Sequence, residues 1–322
     1  MRLYKKAAAC LLTAAMAISM LTACGGGGNG GNGGGNTPSP LPNNPDQIVL
    51  PDPGDGEGGG AGGGEGTETK PTKTPIIDVN NSKLAQFNKK YAGATEFYLE
   101  GQMVEYDEDG SVKKTSDDCV AAKGNNVYMK ITLSGKNQKQ QSIEQLMLKE
   151  GNYDNGYVLL RGSKVAVRTS SYKSESDDNI SLGTLIANKL PSQMWSTKVK
   201  VGPTEYYAEV YNAYSYEYTT CYTADGKPVY QFVRKLNEKQ LNSAILYKNI
   251  LAGSGTSKGL CKIPTGFKTY SIDFRNGTLT DAKDNVFTLQ EDGTTGFKVF
   301  DKTGKEVTND FKWVNDLYKM YE

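Results

Sequence analysis

Apolar and polar residues alternate along most of the chain beyond residue 94, with the two-residue period of β-strands that have one buried face. Turn sequences such as Asp107–Gly110 and Ala224–Pro228 separate neighbouring segments at hairpin spacing. The predicted strands are Thr95–Tyr106, Val112–Lys123, Val127–Leu133, Ser142–Lys149, Tyr157–Leu160, Lys164–Thr169, Glu205–Tyr211, Tyr214–Tyr222, Val229–Lys235 and Leu241–Lys248. Successive hairpins predict an antiparallel meander, because parallel strands need long crossover connections.

Three segments have instead the three- and four-residue spacing of amphipathic helices. Ser82 is a candidate N-cap for the first, which runs through Tyr91, and Pro191 ends the second. Their apolar positions are Leu84, Phe87 and Tyr91 in the first, and Leu182, Leu185, Ile186 and Leu190 in the second. The third follows Thr308, where a strand is the alternative, with apolar positions Phe311, Val314, Tyr318 and Tyr321. These patterns predict a mainly β (α+β) fold with a few short helices.

The N-terminus has the three parts of a secretory signal. Arg2, Lys5 and Lys6 precede an apolar run that ends at Met20 and is too short for a membrane span. The next residues, Leu-Thr-Ala-Cys at 21–24, resemble the lipobox of bacterial lipoprotein signals at all four positions. The resemblance implies that residues 1–23 are a signal peptide and that Cys24 carries a thioether-linked diacylglycerol. The chain would then be anchored at the extracytoplasmic face of the cell membrane; the alternative is ordinary secretion with a chance cysteine.

Glycine and proline dominate the segment after this cysteine. Residues 25–76 contain 18 of the 37 glycines and 8 of the 12 prolines, with few apolar side chains to bury. Such a composition does not offset the entropy lost on ordering, so residues 24–76 are predicted to be a disordered, lipid-anchored tether. Residues 77–275 are then the β-rich domain, and residues 276–322 are a C-terminal extension or a small β-rich appendage.

Charge and residue counts exclude several function classes. The net charge is +1 and no dense basic run occurs, which argues against a nucleic-acid partner. The chain has no histidine, so it cannot build a Ser-His-Asp triad or a histidine-containing zinc site. Cys119, Cys221 and Cys261 match no metal-site spacing and allow at most one disulfide, whose existence stays open. We therefore predict no metal and no cofactor.

Two short fragments match motifs of penicillin-recognising enzymes. Ser170–Lys173 has the S-x-x-K pattern and Lys302–Gly304 reads K-T-G. In those enzymes the first motif opens a helix, whereas here it is at the end of a predicted strand and the second is in a predicted turn. The S-D-N element is also missing. The sequence therefore predicts a non-catalytic protein with no catalytic residues.

Seven tyrosines are concentrated in one predicted hairpin, at positions 206, 207, 211, 214, 216, 218 and 222. A ladder of cross-strand aromatic pairs is one interpretation. Stacking of exposed rings on sugars or peptides is the other.

The same region resembles a known family. The run EYYAEVYNAYSYEYTTCYTADGKPVYQFVRKL (205–236) and the segment CKIPTGFKTY (261–270) close a meander that begins with a helix and contains a helical insertion. This pattern, over about residues 80–272, resembles LolA-like and mycobacterial-type lipid-carrier lipoproteins, although no invariant catalytic motif supports it. The resemblance implies a curved antiparallel sheet, an open half-barrel, with an apolar groove for acyl chains. Leu182, Leu185, Ile186 and Trp195 are the candidate lining residues.

The function predicted from the sequence is a membrane-anchored, cell-surface lipoprotein with a non-catalytic domain that binds a hydrophobic ligand such as a lipid or acyl chain. The alternative is a structural or adhesive module that binds cell-wall glycan or a protein partner through surface tyrosines. A histidine-free hydrolase would need a buried carboxylate pair or a Ser–Lys contact in a cleft.

Overall fold

A computed structural model describes most of the chain after residue 39. The described residues are 40–42, 45–53, 71–76, 78–135, 138–173, 182, 190–293 and 296–320. The signal peptide, Cys24, Leu185 and Ile186 lie outside these ranges, so the predictions made for them stay predictions.

The described residues form 17 strands and two α-helices. The strands are β1 Ile48–Val49, β2 Thr74–Pro75, β3 Glu96–Tyr106, β4 Val112–Lys123, β5 Asn126–Gly135, β6 Gln138–Glu150, β7 Tyr153–Leu160, β8 Val165–Lys173, β9 Trp195–Val201, β10 Thr204–Ala213, β11 Tyr216–Tyr222, β12 Pro228–Lys235, β13 Ser243–Ala252, β14 Lys268–Asp273, β15 Thr278–Asp281, β16 Val286–Glu291 and β17 Phe297–Phe300. The helices are α1 Lys83–Lys89 and α2 Trp313–Met320, and short 3₁₀ segments occupy Pro45–Gln47, Val79–Asn81 and Thr308–Phe311.

All strands belong to one large, curved, open sheet. Strands β9 to β13 form a meander whose last strand pairs with β3, and β3 to β8 continue the sheet as a second meander. Strand β14 then adds to β8 in parallel, and β15 to β17 follow as antiparallel neighbours. The predicted mainly β class and the curved antiparallel sheet are therefore confirmed.

The C-terminal strands continue this sheet. A boundary at residue 276 would cut the hairpin between β14 and β15, in which Ile272 pairs with Leu279. Beyond β17, Val314 and Tyr318 of the predicted helix lie in α2, Phe311 lies in the preceding 3₁₀ segment, and Tyr321 is outside the described residues. Leu317 of α2 is fully buried in a cluster with β7 and β8 residues such as Val158 and Val167, so this region packs on the sheet.

The two faces of the sheet bury different clusters. We call α1 face the side on which Leu84 and Phe87 of α1 pack against Phe97, Leu99 and other apolar residues of β3 and β4. The opposite side, the back face, buries one cluster over β9 to β13 and another over β3 to β8. Because neighbouring residues of a strand point to opposite sides, the alternation seen in the sequence divides between these two faces.

A buried carboxylate attaches α1 to the sheet. Ser82 caps the helix as predicted, and its side chain accepts a hydrogen bond from the backbone N–H of Ala85 at 3.0 Å. Glu209 of β10 is fully buried and accepts from the backbone N–H groups of Lys83 at 2.6 Å and Leu84 at 2.9 Å. Burial raises the pKa of the Glu209 carboxyl, and these backbone hydrogen bonds oppose the rise.

Part of the predicted tether is packed on the sheet. Ile48 and Val49 pair with the end of β9, and Thr74 and Pro75 pair with its beginning, so these two short stretches of the predicted tether lie on the edge of the sheet. Ile48 is buried in the back-face cluster. The physical reason is the short apolar run at 48–50, whose burial stabilises β1 although the surrounding composition favours disorder.

A buried group of charges holds both of these segments. Glu217 of β11 is fully buried and lies 2.5 Å from Nζ of Lys73, whose side chain is 3% exposed. Arg234 of β12 donates to the same carboxylate through Nε at 2.8 Å and to the backbone oxygen of Pro51 at 2.7 Å. Glu217 therefore links the chain on both sides of residues 54–70 to the sheet.

Candidate functional site

The α1 face carries a row of aliphatic side chains beside its packed cluster. Ile131 of β5 pairs with Ile143 of β6, and Leu133 lies two residues farther along β5 on the same side. All three are half-buried, and among the described residues they belong to none of the packed clusters. We call Ile131, Leu133 and Ile143 the apolar strip. An apolar ligand could cover the part of these three side chains that remains in contact with water.

A small niche lies next to the strip. Gly101 of β3 has no side chain, and the space of about 20 Å³ at this position is walled mainly by Leu99, Met103, Val120, Ile245 and Tyr247. A Cβ at Gly101 would lie 2.9 Å from the backbone oxygen of Leu246, so the close approach of β13 requires glycine here. The niche has room for a single group of about the size of a water molecule.

Asp118 is the acidic residue at the niche. It lies opposite Gly101 on one side and opposite Ile131 on the other, so it stands between the niche and the strip. Ser116 donates a hydrogen bond to its Oδ2 at 3.0 Å, whereas Oδ1 is buried and has no hydrogen-bond partner among the described residues. Burial raises the pKa of Asp118 to about 6, and the Asp117 charge adds to the rise.

We expect Asp118→Asn to remove a pH-dependent destabilisation. Between about pH 4 and pH 6 the folded chain binds the Asp118 proton more tightly than the unfolded chain does, so wild-type stability falls as pH rises through this window. Between pH 4 and pH 7, the free energy of unfolding of the wild type should fall by about 2 kcal/mol relative to that of Asp118→Asn. Chemical denaturation across this range measures the difference. Parallel pH profiles of the two proteins would contradict the expectation.

A larger cleft of about 440 Å³ opens where the N-terminal segment crosses the sheet. It is lined by residues 45 and 48–52, by the hairpin turn at Glu108–Gly110, and by Arg234 with residues 239–241. Its lining mixes acids, cations and apolar side chains, and it adjoins the Glu217 group that attaches the N-terminal segment. We therefore assign this cleft to the packing of that segment.

Two of the predicted lining residues are described, and both are buried core positions. Leu182 is fully buried in the α1-face cluster, and its backbone N–H donates to the oxygen of Ala94 at 2.9 Å. Trp195 is buried at the start of β9, with Nζ of Lys73 at 5.9 Å from its ring centroid. Asp118 and the Gly101 niche were missed, although a glycine inside a strand pattern is a signal of close backbone approach.

The tyrosine-rich hairpin is mainly a ladder of aromatic pairs, as one interpretation predicted. Tyr211 stacks on Tyr218 with ring centroids 5.2 Å apart and an interplanar angle of 9°. Tyr207 pairs with Tyr222 at 6.4 Å. Tyr214 lies in the turn and not in a strand, at a positive φ of 50°, and its side chain is 92% exposed.

The three described cysteines are free thiols. Cys221 and Cys261 are buried and Cys119 is partly buried. Burial raises the pKa of Cys261 to about 11 and that of Cys119 above its ordinary value. Raised values keep thiols protonated near neutral pH, so these cysteines pack as small apolar residues.

The two enzyme-like fragments lie where the sequence placed them. Ser170–Lys173 ends β8, and Lys302–Gly304 is in the turn after β17, where Asp301 accepts from the backbone N–H of Thr303 at 2.8 Å. Within the described ranges, no three histidine, cysteine or acidic residues are grouped as a metal site requires. No helix in the described part of the chain has the length and apolar character to cross a bilayer.

Comparisons with known proteins assign this chain to no family. The sequence matches no family model and no curated protein. Among solved structures, an uncharacterized conserved protein from Thermus thermophilus is 10% identical, with a TM-score of 0.30 over 56% of this chain and 92% of that one. A CurK dehydratase inactive mutant is 11% identical, with a TM-score of 0.13 over 66% of this chain and 99% of its own. Likenesses this low carry no argument about function.

Proposed function

We propose that the protein is a lipid-anchored surface protein whose sheet binds an apolar ligand without catalysis. Cys24 would carry the lipid after removal of residues 1–23, at the extracytoplasmic face of the cell membrane. The observation that carries the binding proposal is the apolar strip. Its three aliphatic side chains lie beside the packed core and are themselves only half-buried.

The energetics of the strip favour a chain-like ligand. Complete burial of one aliphatic side chain is worth roughly 1.5–3 kcal/mol relative to exposure. Covering what remains exposed of the three partly buried side chains is therefore worth at most about a third of the sum for three. Inter-strand spacings of about 4.8 Å place the strip within reach of an alkyl chain that starts at Asp118. This matches the ligand class implied by the resemblance to lipid carriers.

A structural or adhesive role remains the second proposal, on different tyrosines from those first considered. Tyr153 and Tyr172 are 52% and 55% exposed and lie at one end of the β7–β8 hairpin. Rings this exposed can stack on sugars or peptides. Replacing both by serine should abolish binding to cell-wall glycan. A variant that loses only the binding of the apolar ligand should still bind the glycan.

The anchor is tested on the full chain expressed in a bacterial host. Growth with an alkyne-labelled palmitate should label the wild type and place it in the membrane fraction. Cys24→Ser should lose the label and the membrane association, because serine offers no thiol for the thioether. Cys119→Ser is the matched control and should keep both. Persistent labelling of Cys24→Ser would contradict the anchor.

Ligand binding is tested with 1-decanol, an uncharged apolar probe, titrated calorimetrically into the Cys24→Ser chain in the absence of detergent. Ile131→Asn should weaken binding at least about tenfold, since it places an amide in the strip. Thr132→Asn, on the opposite face of the same strand, is the control and should bind like the parent. Absence of measurable decanol binding to the parent would overturn the proposal.

A further inference from the structure

We infer that the Gly101 niche is a head-group site for a primary ammonium carried by the apolar ligand. The inference rests on the proposed function and adds the chemistry of the ligand's polar end. An alkylamine would place its nitrogen at Asp118 and lay its chain across the apolar strip.

The size of the niche restricts the group that fits. Its volume of about 20 Å³ accommodates one water-sized group, which an ammonium nitrogen matches and a quaternary ammonium or a sugar does not. The walls contributed by Leu99, Val120 and Ile245 are apolar, so a polar group placed there needs a specific partner.

The polar atoms at the niche favour a donor. Oδ1 of Asp118 is buried without a hydrogen-bond partner among the described residues. This oxygen is an acceptor, and an ammonium adds the attraction of opposite charges to the hydrogen bond that a neutral donor would make with the carboxylate. An ammonium therefore suits the niche better than a hydroxyl, and an anionic head group does not suit it.

The charges around Asp118 leave its carboxylate available. Lys114, on the same face of β4, pairs with Glu105 at 3.4 Å. Asp117, on the back face, pairs with Lys248 at 2.6 Å. The phenol of Tyr247 is the other titratable group in the wall.

The experiment compares decylamine with 1-decanol, which have the same chain and differ at the head. In the Cys24→Ser chain at pH 7.5, decylamine should bind about tenfold more tightly than decanol. Asp118→Asn should abolish this preference and keep the decanol affinity, whereas Asp117→Asn should retain the preference. Lowering the pH to 5 should reduce the preference in the parent, because protonation removes the Asp118 charge.

The possible results separate the two proposals. The ammonium site would be overturned if the parent bound both probes equally, or if Asp117→Asn and Asp118→Asn lost the preference for decylamine equally. In either case, decanol binding would still support the apolar strip. Failure of both probes to bind would overturn both. Denaturation of each variant at pH 7.5 establishes that the compared proteins are folded.

Discussion

Replacing Glu217 by alanine is expected to lower the free energy of unfolding by roughly 3–5 kcal/mol. The substitution leaves the cations of Lys73 and Arg234 buried, with side chains only 3% and 4% exposed, and without the carboxylate that both contact. Removing one partner of a buried ionic group is costly because the remaining charge keeps its desolvation penalty. Chemical denaturation at neutral pH measures the loss.

Two further variants separate the charge effect from simple loss of packing. Glu217→Leu combined with Lys73→Met and Arg234→Met should recover most of the stability, because apolar residues of similar volume can replace a buried ionic group. Glu205→Ala removes the exposed partner of Lys198 and should cost no more than about 1 kcal/mol. Equal losses in Glu217→Ala and in Glu205→Ala would contradict the assigned role of Glu217.

Glu217→Ala should also loosen the attachment of the N-terminal segments to the sheet. Arg234 bonds the Pro51 oxygen and Glu217 bonds Lys73, so losing the carboxylate weakens both attachments. Hydrogen exchange at the backbone N–H of Gly202, which donates to the oxygen of Gln47 at 2.9 Å, reports on the attachment. Faster exchange there than in β12 would show local detachment ahead of global unfolding.

Replacing Glu209 by alanine is expected to cost roughly 3 kcal/mol, the second largest effect. The carboxylate accepts from the backbone of Lys83 and Leu84 and from the Tyr207 hydroxyl at 3.1 Å. Its loss leaves donors at the start of α1 buried without an acceptor, and each hydrogen bond to a charged group contributes about 1.5–3 kcal/mol. Thermal or chemical denaturation, with exchange of the α1 amides, measures the effect.

Two conservative variants test how much of this loss comes from the individual hydrogen bonds of Glu209. Glu209→Gln keeps one acceptor oxygen and should lose less than Glu209→Ala. Tyr207→Phe removes only one donor to the carboxylate and should lose no more than about 1 kcal/mol, because Tyr207 is 41% exposed. A Glu209→Ala variant as stable as Tyr207→Phe would show that α1 does not depend on this carboxylate.

The hairpin β11–β12 was predictable because local signals agree there. Strand-forming residues lie on both sides of Asp225-Gly226, and this dipeptide lies in the turn between the two strands. Strand β9 was missed even though Trp195–Val201 alternates cleanly between buried and exposed positions.

The buried charges could not be read from the sequence. In β10, buried residues occupy consecutive positions, so both faces are covered and polarity no longer marks the exposed side. Glu209 and Glu217 then look like ordinary solvent-facing acids, and only the positions of α1 and of Lys73 give them partners. β1 was missed for a related reason, since averaging over a glycine-rich segment hides Ile48 and its two apolar neighbours.

With the chain anchored at Cys24 as proposed, a mechanical pull from the membrane would enter the fold through the two separate pieces of the β9 edge. Tension would first pull the buried Leu41 out of the back-face cluster and then peel Ile48 and Val49 from β9. The contacts of Pro51 with Arg234 and of Lys73 with Glu217 would carry the load next. Thr74 and Pro75 would be pulled from β9 only after those contacts break. The interrupted edge strand would thus yield in separate steps before force reaches the rest of the sheet.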